Sequence, residues 1–138
     1  MDDIVKRHVL VVDDDADNLE LAVLLMSSDG YSVAGASDCD SALRMLTRST
    51  PDLIVLDCFL ESEFAMLLSE LKSRNLMQKV LLCSGVSTLS ERRLRWGAGG
   101  ALQKPFELEE FLNLAGKLSD RRRQNFPFTG TDRRGQAC

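Results

Sequence analysis

Histidine occurs once in the 138 residues, and the four cysteines, Cys39, Cys58, Cys83 and Cys138, include no close pair such as C-x-x-C. That leaves too few soft ligands at metal-binding spacing for a zinc site. It reads as the reduced thiols of a cytoplasmic protein, with Cys58 and Cys83 as small buried hydrophobes. No apolar run approaches the ~20 residues needed to span a bilayer. The acidic start Met1-Asp2-Asp3 does not have the charged-then-apolar layout of a signal peptide. Positive charge is not in excess either: 17 Lys and Arg stand against 21 Asp and Glu, a net charge of −4. Such a chain has no general electrostatic attraction for nucleic acid or an anionic membrane.

What is present is an ordinary globular composition, 44% hydrophobic and 28% charged, in a length suited to one domain with a proper core. Strand-like and helix-like patterns alternate with short connections. Residues 8–13 predict a fully buried strand and 16–29 a helix, which Asp15 or Asp17 can cap and Gly30 can close in the left-handed conformation. A weaker strand follows at 31–36, then a helix at 39–49 ended by Pro51, and a third strand at 52–57. A helix at 63–73, a strand at 79–83, a helix at 88–97, a short strand at 100–103 and a helix at 107–118 complete the series. Strands that are apolar throughout and alternate with helices imply an α/β fold with a parallel sheet covered on both faces.

Several of these strands finish in chemistry. Asp13, Asp14 and Asp15 close the run His8-Val9-Leu10-Val11-Val12, and Asp57 closes Leu53-Ile54-Val55-Leu56. An open parallel sheet places its ligand site at the carboxyl ends of the strands, near the switch in strand order. That rule gathers Asp13, Asp14 and Asp57, with Ser84 after the fourth strand and Lys104 after the fifth. Like charges so close repel one another unless a cation sits among them. All-oxygen, carboxylate-rich sites suit Mg²⁺. Taken singly, each acid also reads as a helix cap or a solvated strand end, Ser84 as a turn residue before Gly85, and Lys104 as a surface amine.

With those residues in place, the sequence resembles the receiver domain of two-component response regulators. The likeness runs from about His8 to Leu118 and rests on V-V-D-D-D at 11–15, P-D-L-I-V-L-D at 51–57, L-L-C-S-G at 81–85 and Q-K-P-F at 103–106. It implies a (βα)5 flavodoxin-like, doubly wound sheet in the order 2-1-3-4-5, formed by residues 1–118, with 119–138 as a flexible tail. By resemblance Asp57 is the phospho-acceptor, and Asp14 and Asp13 are acids of a Mg²⁺ site that the backbone carbonyl of Phe59 completes. Ser84 then bonds the phosphoryl group, Lys104 pairs with it, and Lys104-Pro105 is a cis peptide. The implied donor is a histidine kinase or histidine phosphotransfer protein. The implied output is phosphorylation-dependent binding of a downstream protein, by a monomer or a homodimer. The tail, with Arg121-Arg122-Arg123, Pro127, Gly130 and Gly135, reads as too short and irregular for a DNA-binding domain.

The sequence also departs from the family pattern. Glu61 and Ala65 stand where a proline and a glycine usually follow the acceptor, and Ala101 replaces the switch aromatic three residues before the lysine. Bulky Phe59 stands two residues past the acceptor. It offers no hydrogen bond to a hydrolytic water, which implies slow self-dephosphorylation; the resemblance implies no other enzymatic activity. The altered loop and Ala101 favour a competing reading as a phosphorylation-independent pseudo-receiver, whereas the intact acids, Ser84 and Lys104 favour the phospho-acceptor. A haloacid-dehalogenase-like phosphatase would use Asp13 and Asp15 as its D-x-D but leaves Asp57 without a role. A calcium loop is excluded by Asn18 and Leu24 at its glycine and bidentate-glutamate positions. On the helix at 88–97, Arg92, Arg93, Arg95 and Trp96 form an arginine–aromatic mix of the kind found in binding hot spots.

Overall fold

The computed structural model describes residues 6–57 and 61–120. Its five strands are β1 (His8–Asp13), β2 (Ser32–Ala36), β3 (Leu53–Asp57), β4 (Val80–Ser84) and β5 (Gly100–Gln103). Its five α-helices are α1 (Ala16–Ser28), α2 (Cys39–Arg48), α3 (Ala65–Ser73), α4 (Leu89–Trp96) and α5 (Leu108–Leu118). All strand pairs are parallel, in the order β2-β1-β3-β4-β5. This is the parallel α/β sheet that the sequence pattern predicts, in the flavodoxin-like order 2-1-3-4-5 that the resemblance implies.

The three central strands are apolar on both sides because helices cover both faces. One face packs Leu10, Val12, Ile54, Leu56 and Leu82 beneath Phe64, Leu67, Leu71 and Trp96. The other packs Val9, Val11, Val55, Leu81 and Cys83 beneath Met26, Phe111, Ala115 and Leu118. Alternate residues of one strand therefore feed opposite cores, as a period of two requires. The edge strand β2, with the small residues of Ser-Val-Ala-Gly-Ala, is only partly buried.

Local capping explains most element ends. Asp15, not Asp17, caps α1: its carboxylate accepts the backbone N–H of Asp17 and of Asn18, each at 3.0 Å. Gly30, at φ +101°, lets the chain leave α1 while Tyr31 N–H bonds back to the Met26 carbonyl at 3.1 Å. Gly97 closes α4 at φ +77° in the same way. Gly99 is required for a different reason, since a Cβ there would lie 2.0 Å from the Gln78 carbonyl oxygen.

Two 3₁₀ turns were not legible in the apolar periodicity. The helix expected over 63–73 begins instead with a 3₁₀ turn, Glu61–Phe64, and becomes α-helical only at Ala65. Phe64 is consequently a buried core residue at the junction and caps α3 with no side-chain hydrogen bond. A second 3₁₀ turn, Met77–Lys79, occupies the expected start of the fourth strand and shifts β4 one residue later, so that Ser84 is its last residue. No helix among the described residues is long and apolar enough to cross a membrane. Cys83 is buried and free, and Cys39 is free and half-buried; Cys58 and Cys138 lie outside the described residues.

Candidate functional site

β1 and β3 are adjacent and in register, and their last residues, Asp13 and Asp57, are direct partners across the pair. The register thus sets two carboxylates side by side at the carboxyl edge of the sheet. Asp13 is only 5% exposed. Its Oδ1 accepts the Asp15 backbone N–H at 2.9 Å. Burial pushes its pKa up from 3.8 to about 6, against that hydrogen bond and with further upward pressure from the charge of Asp57.

Lys104 reaches the same point from β5. Its Nζ donates to Asp57 Oδ2 in an ion pair whose carboxylate side chain is 18% exposed. Burial alone lowers the pKa of the lysine. The hydrogen bond and charge of Asp57, with the charge of Asp13, outweigh it and hold the ammonium above its usual range. The backbone orients this side chain: Lys104 N–H donates to the Ser84 carbonyl at 2.9 Å, and the Lys104-Pro105 peptide is cis. Ser84 is buried and its Oγ accepts the Val86 N–H at 3.3 Å, so the hydroxyl is held at the start of the β4–α4 loop.

The three consecutive acids have three separate situations. Asp13 points into the site, Asp15 caps α1, and Asp14 is exposed. Among the described residues no group of three His, Cys, Asp or Glu side chains is arranged to hold a metal ion. The described donors for a cation are therefore the pair Asp13 and Asp57, whose mutual repulsion a divalent ion would relieve. A pair of carboxylates with no soft ligand fits Mg²⁺, which keeps several waters in its coordination shell. Phe59, expected to offer a carbonyl, lies outside the described residues, and so does Cys58.

An apolar cleft that the strand-end logic did not anticipate opens beside these groups. Asp57, Lys104 and Cys83 stand at one end of a cavity of about 190 Å³, walled by Leu21 and Leu25 of α1 and by Phe106, Leu108 and Phe111. Phe106 and Phe111 stack with ring centroids 5.6 Å apart. Burial, with Asp57 next, pushes the Cys83 thiol up to about 12, so it stays protonated beneath the acids. The signal for this cleft was present in α1, whose leucines occupy more of the helix than one buried face can use.

On α4 the expected arginine–aromatic group divides. Trp96 is buried, and the guanidinium carbons of Arg92 and Arg95 lie 5.9 and 6.0 Å from its ring centroid. Arg93 turns to the helix end and donates to the Ala98 carbonyl at 3.4 Å. Ala101 packs at the edge of the core beneath α2, α3 and α4.

The model of one family, the response regulator receiver domain, matches residues 9–115. The transcriptional regulatory protein MalR of Bacillus subtilis is 38% identical over 122 residues, covering 85% of this chain and 51% of that protein. The phosphate regulon transcriptional regulatory protein PhoB of Klebsiella pneumoniae is 32% identical over 111 residues, covering 77% of this chain and 48% of that protein. The chain thus spans about half the length of the curated relatives it matches. Among solved structures, the receiver domain of Francisella response regulator 1452 superposes with a TM-score of 0.73 at 25% identity, covering 84% of this chain and 98% of that one. The receiver domain of NtrX from Brucella abortus gives a TM-score of 0.71 at 28% identity, covering 82% and 98%.

Proposed function

The chain belongs to the response regulator receiver family, and from that premise we propose that Asp57 accepts a phosphoryl group from a histidine kinase or histidine phosphotransfer protein. The observation that carries the proposal is the ion pair of Asp57 with Lys104 beside the buried carboxylate of Asp13. A nucleophilic carboxylate oxygen, a fixed cation and a second acid converge on one strand edge. In the reaction an Asp57 oxygen bonds to phosphorus, the P–N bond to the donor imidazole breaks, and the imidazole nitrogen keeps the electron pair and takes up a proton.

The protein's own part is positioning and charge. Lys104 holds one carboxylate oxygen, which leaves the other to attack. After transfer the ammonium can follow the new phosphoryl oxygens, and the Ser84 hydroxyl can exchange its Val86 N–H for a phosphoryl contact. Asp13 and Asp57, with Asp14 and the Phe59 carbonyl as the further donors the family implies, would hold Mg²⁺. When bound, that ion would neutralise part of the charge that builds up during phosphoryl transfer.

The acyl phosphate carries nearly two negative charges at the end of β3 where the carboxylate carried one, a net gain of about one. It thereby biases the β4–α4 loop and α4 toward a second arrangement recognised by a downstream protein. Residues 1–118 act as the receiver in a cytoplasmic protein, and Phe59 slows self-dephosphorylation; the tail expected over 119–138 lies outside the described residues from residue 121 on. A second reading, an interaction module independent of phosphorylation, is favoured by Ala101, because no ring at that position can swing toward Ser84.

Intact mass after incubation with Mg²⁺ and acetyl phosphate separates the two readings. One added phosphoryl group, absent from Asp57→Asn, supports the phospho-acceptor. An unchanged mass of the wild type overturns it.

A further inference from the structure

The two edges of the sheet differ in kind. β2 and β5 stand at the ends of the order β2-β1-β3-β4-β5, so among the described residues each has no strand on its outer side. β5 has 4 residues and runs straight into Lys104 and the cis Lys104-Pro105 peptide. A charge and a proline at an edge deter pairing with a further strand. β2 reads Ser-Val-Ala-Gly-Ala, with neither charge nor proline. An edge without such protection is a ready template for another chain.

The hydrogen bonds to β1 fix which groups that edge offers. Ser32 N–H donates to the Arg7 carbonyl at 2.9 Å, and β2 runs parallel to β1 from the pair His8 and Ser32 to the pair Val12 and Ala36. Groups facing a neighbour alternate along a strand. Ser32, Ala34 and Ala36 therefore bond to β1, while Val33 and Gly35 turn their N–H and C=O outward. Between these two lies Ala34, which is exposed and small. A second copy, antiparallel about a two-fold axis at Ala34, sets Val33 of each copy against Gly35 of the other. Every outward N–H of the pair then meets an outward C=O.

Helix α2 beside this edge fits the same operation. Asp38 and Asp40 stand at its start, Arg44 and Arg48 toward its end, and all are exposed. The axis lays α2 of one copy antiparallel to α2 of the other on one side of the joined sheet. The acidic end of each helix then lies nearest the basic end of the other. Exposed ion pairs contribute little energy, but they select this orientation over a parallel one.

We propose that two copies of this chain associate through β2, antiparallel about a two-fold axis at Ala34, to form one continuous sheet. The Asp57 sites then lie at opposite ends of the dimer, and α4 and α5 stay open to other partners. No residue of the acceptor site takes part, so the pairing is independent of the phospho-acceptor reading.

Analytical ultracentrifugation of the full chain over the micromolar range tests the association, and cross-linking tests its register. The wild type should sediment with twice the mass of one chain. Ala34→Lys sets two ammonium groups face to face at the axis, so its association should be several-fold weaker. Its melting temperature at high dilution should match that of the wild type. A non-hydrogen-bonded antiparallel pair holds its Cα atoms roughly 4.5 Å apart, within disulfide reach. Ala34→Cys should therefore form an interchain disulfide under mild oxidation faster than the wild type, whose native cysteines set the background. In Ser32→Cys the new thiols lie about 13 Å apart along the strands, and its cross-linking should stay at background. A monomeric wild type overturns the proposal, and so does a dimer that Ala34→Lys leaves intact. Should Ala34→Lys fail to fold, the cysteine variants decide: cross-linking of Ala34→Cys no faster than that of Ser32→Cys overturns the β2 pairing.

Discussion

Replacing Asp13 by asparagine should make the metal-free protein more stable, not less. Asp13 is buried, and its pKa rises from 3.8 to about 6 through burial first and the neighbouring charge of Asp57 second. A raised carboxylate pKa means that the folded state binds the proton more tightly than the unfolded chain. The associated stability is fully present below pH 3.8 and is lost as the pH rises through about 6. The whole rise corresponds to about 3 kcal/mol. Water at the mouth of the site screens part of it, leaving ~1–2 kcal/mol against folding at neutral pH. Asparagine removes this cost and keeps the side-chain oxygen that accepts the Asp15 N–H. Thermal unfolding in chelator at pH 7.5 should therefore show Asp13→Asn melting ~3–8 °C above the wild type, a gap that shrinks several-fold by pH 4. Millimolar Mg²⁺ should raise the wild-type melting temperature and leave the variant nearly unmoved, because one of the paired carboxylates is gone. An asparagine variant no more stable than wild type at pH 7.5 without metal would refute the reasoning.

Gly99→Ala places a Cβ 2.0 Å from the Gln78 carbonyl oxygen, and that atom belongs to backbone that cannot step aside cheaply. Denaturant unfolding should show a loss of ~3 kcal/mol or more, at the upper end of overpacking costs, and a loss under ~0.5 kcal/mol would contradict the packing at the start of β5. Phe64→Ala should cost ~3–5 kcal/mol by opening a cavity under the junction of the 3₁₀ turn and α3, measured in the same way. Phe59→Asn should shorten the lifetime of the phosphorylated protein several-fold after donor removal, since an amide can orient a water that phenyl cannot; equal half-lives would show that the ring does not guard the acceptor. Charge reversal at Arg92 and Arg95 should weaken binding of the downstream partner without slowing uptake from acetyl phosphate, and slower uptake would place these arginines in support of the site.

The order of strands and helices, the burial of β1, β3 and β4, and the edge of the sheet that carries the site were all readable in the sequence. Each follows from local rules: apolar runs of strand length, helical spacing, a capping aspartate and a glycine after α1. The convergence of Asp13, Asp57, Ser84 and Lys104 at that edge was likewise legible, because each stands at the end of a strand in a parallel sheet. Other features depend on partners distant in the chain. Nothing in the run Asp13-Asp14-Asp15 states which acid turns inward. The β1–β3 register decides it, pairing Asp13 with Asp57 and leaving Asp14 in water. Gly99 reads as an ordinary turn residue until the Gln78 carbonyl arrives beside it. Arg93 reads as one of a basic group until the end of α4 supplies the Ala98 carbonyl. The α1/α5 cleft exists only because two helices 80 residues apart in sequence flank the same strand ends. Periodicity specifies which residues leave water, but contacts between remote segments determine what they meet, and in this protein they placed an apolar groove next to the acid pair.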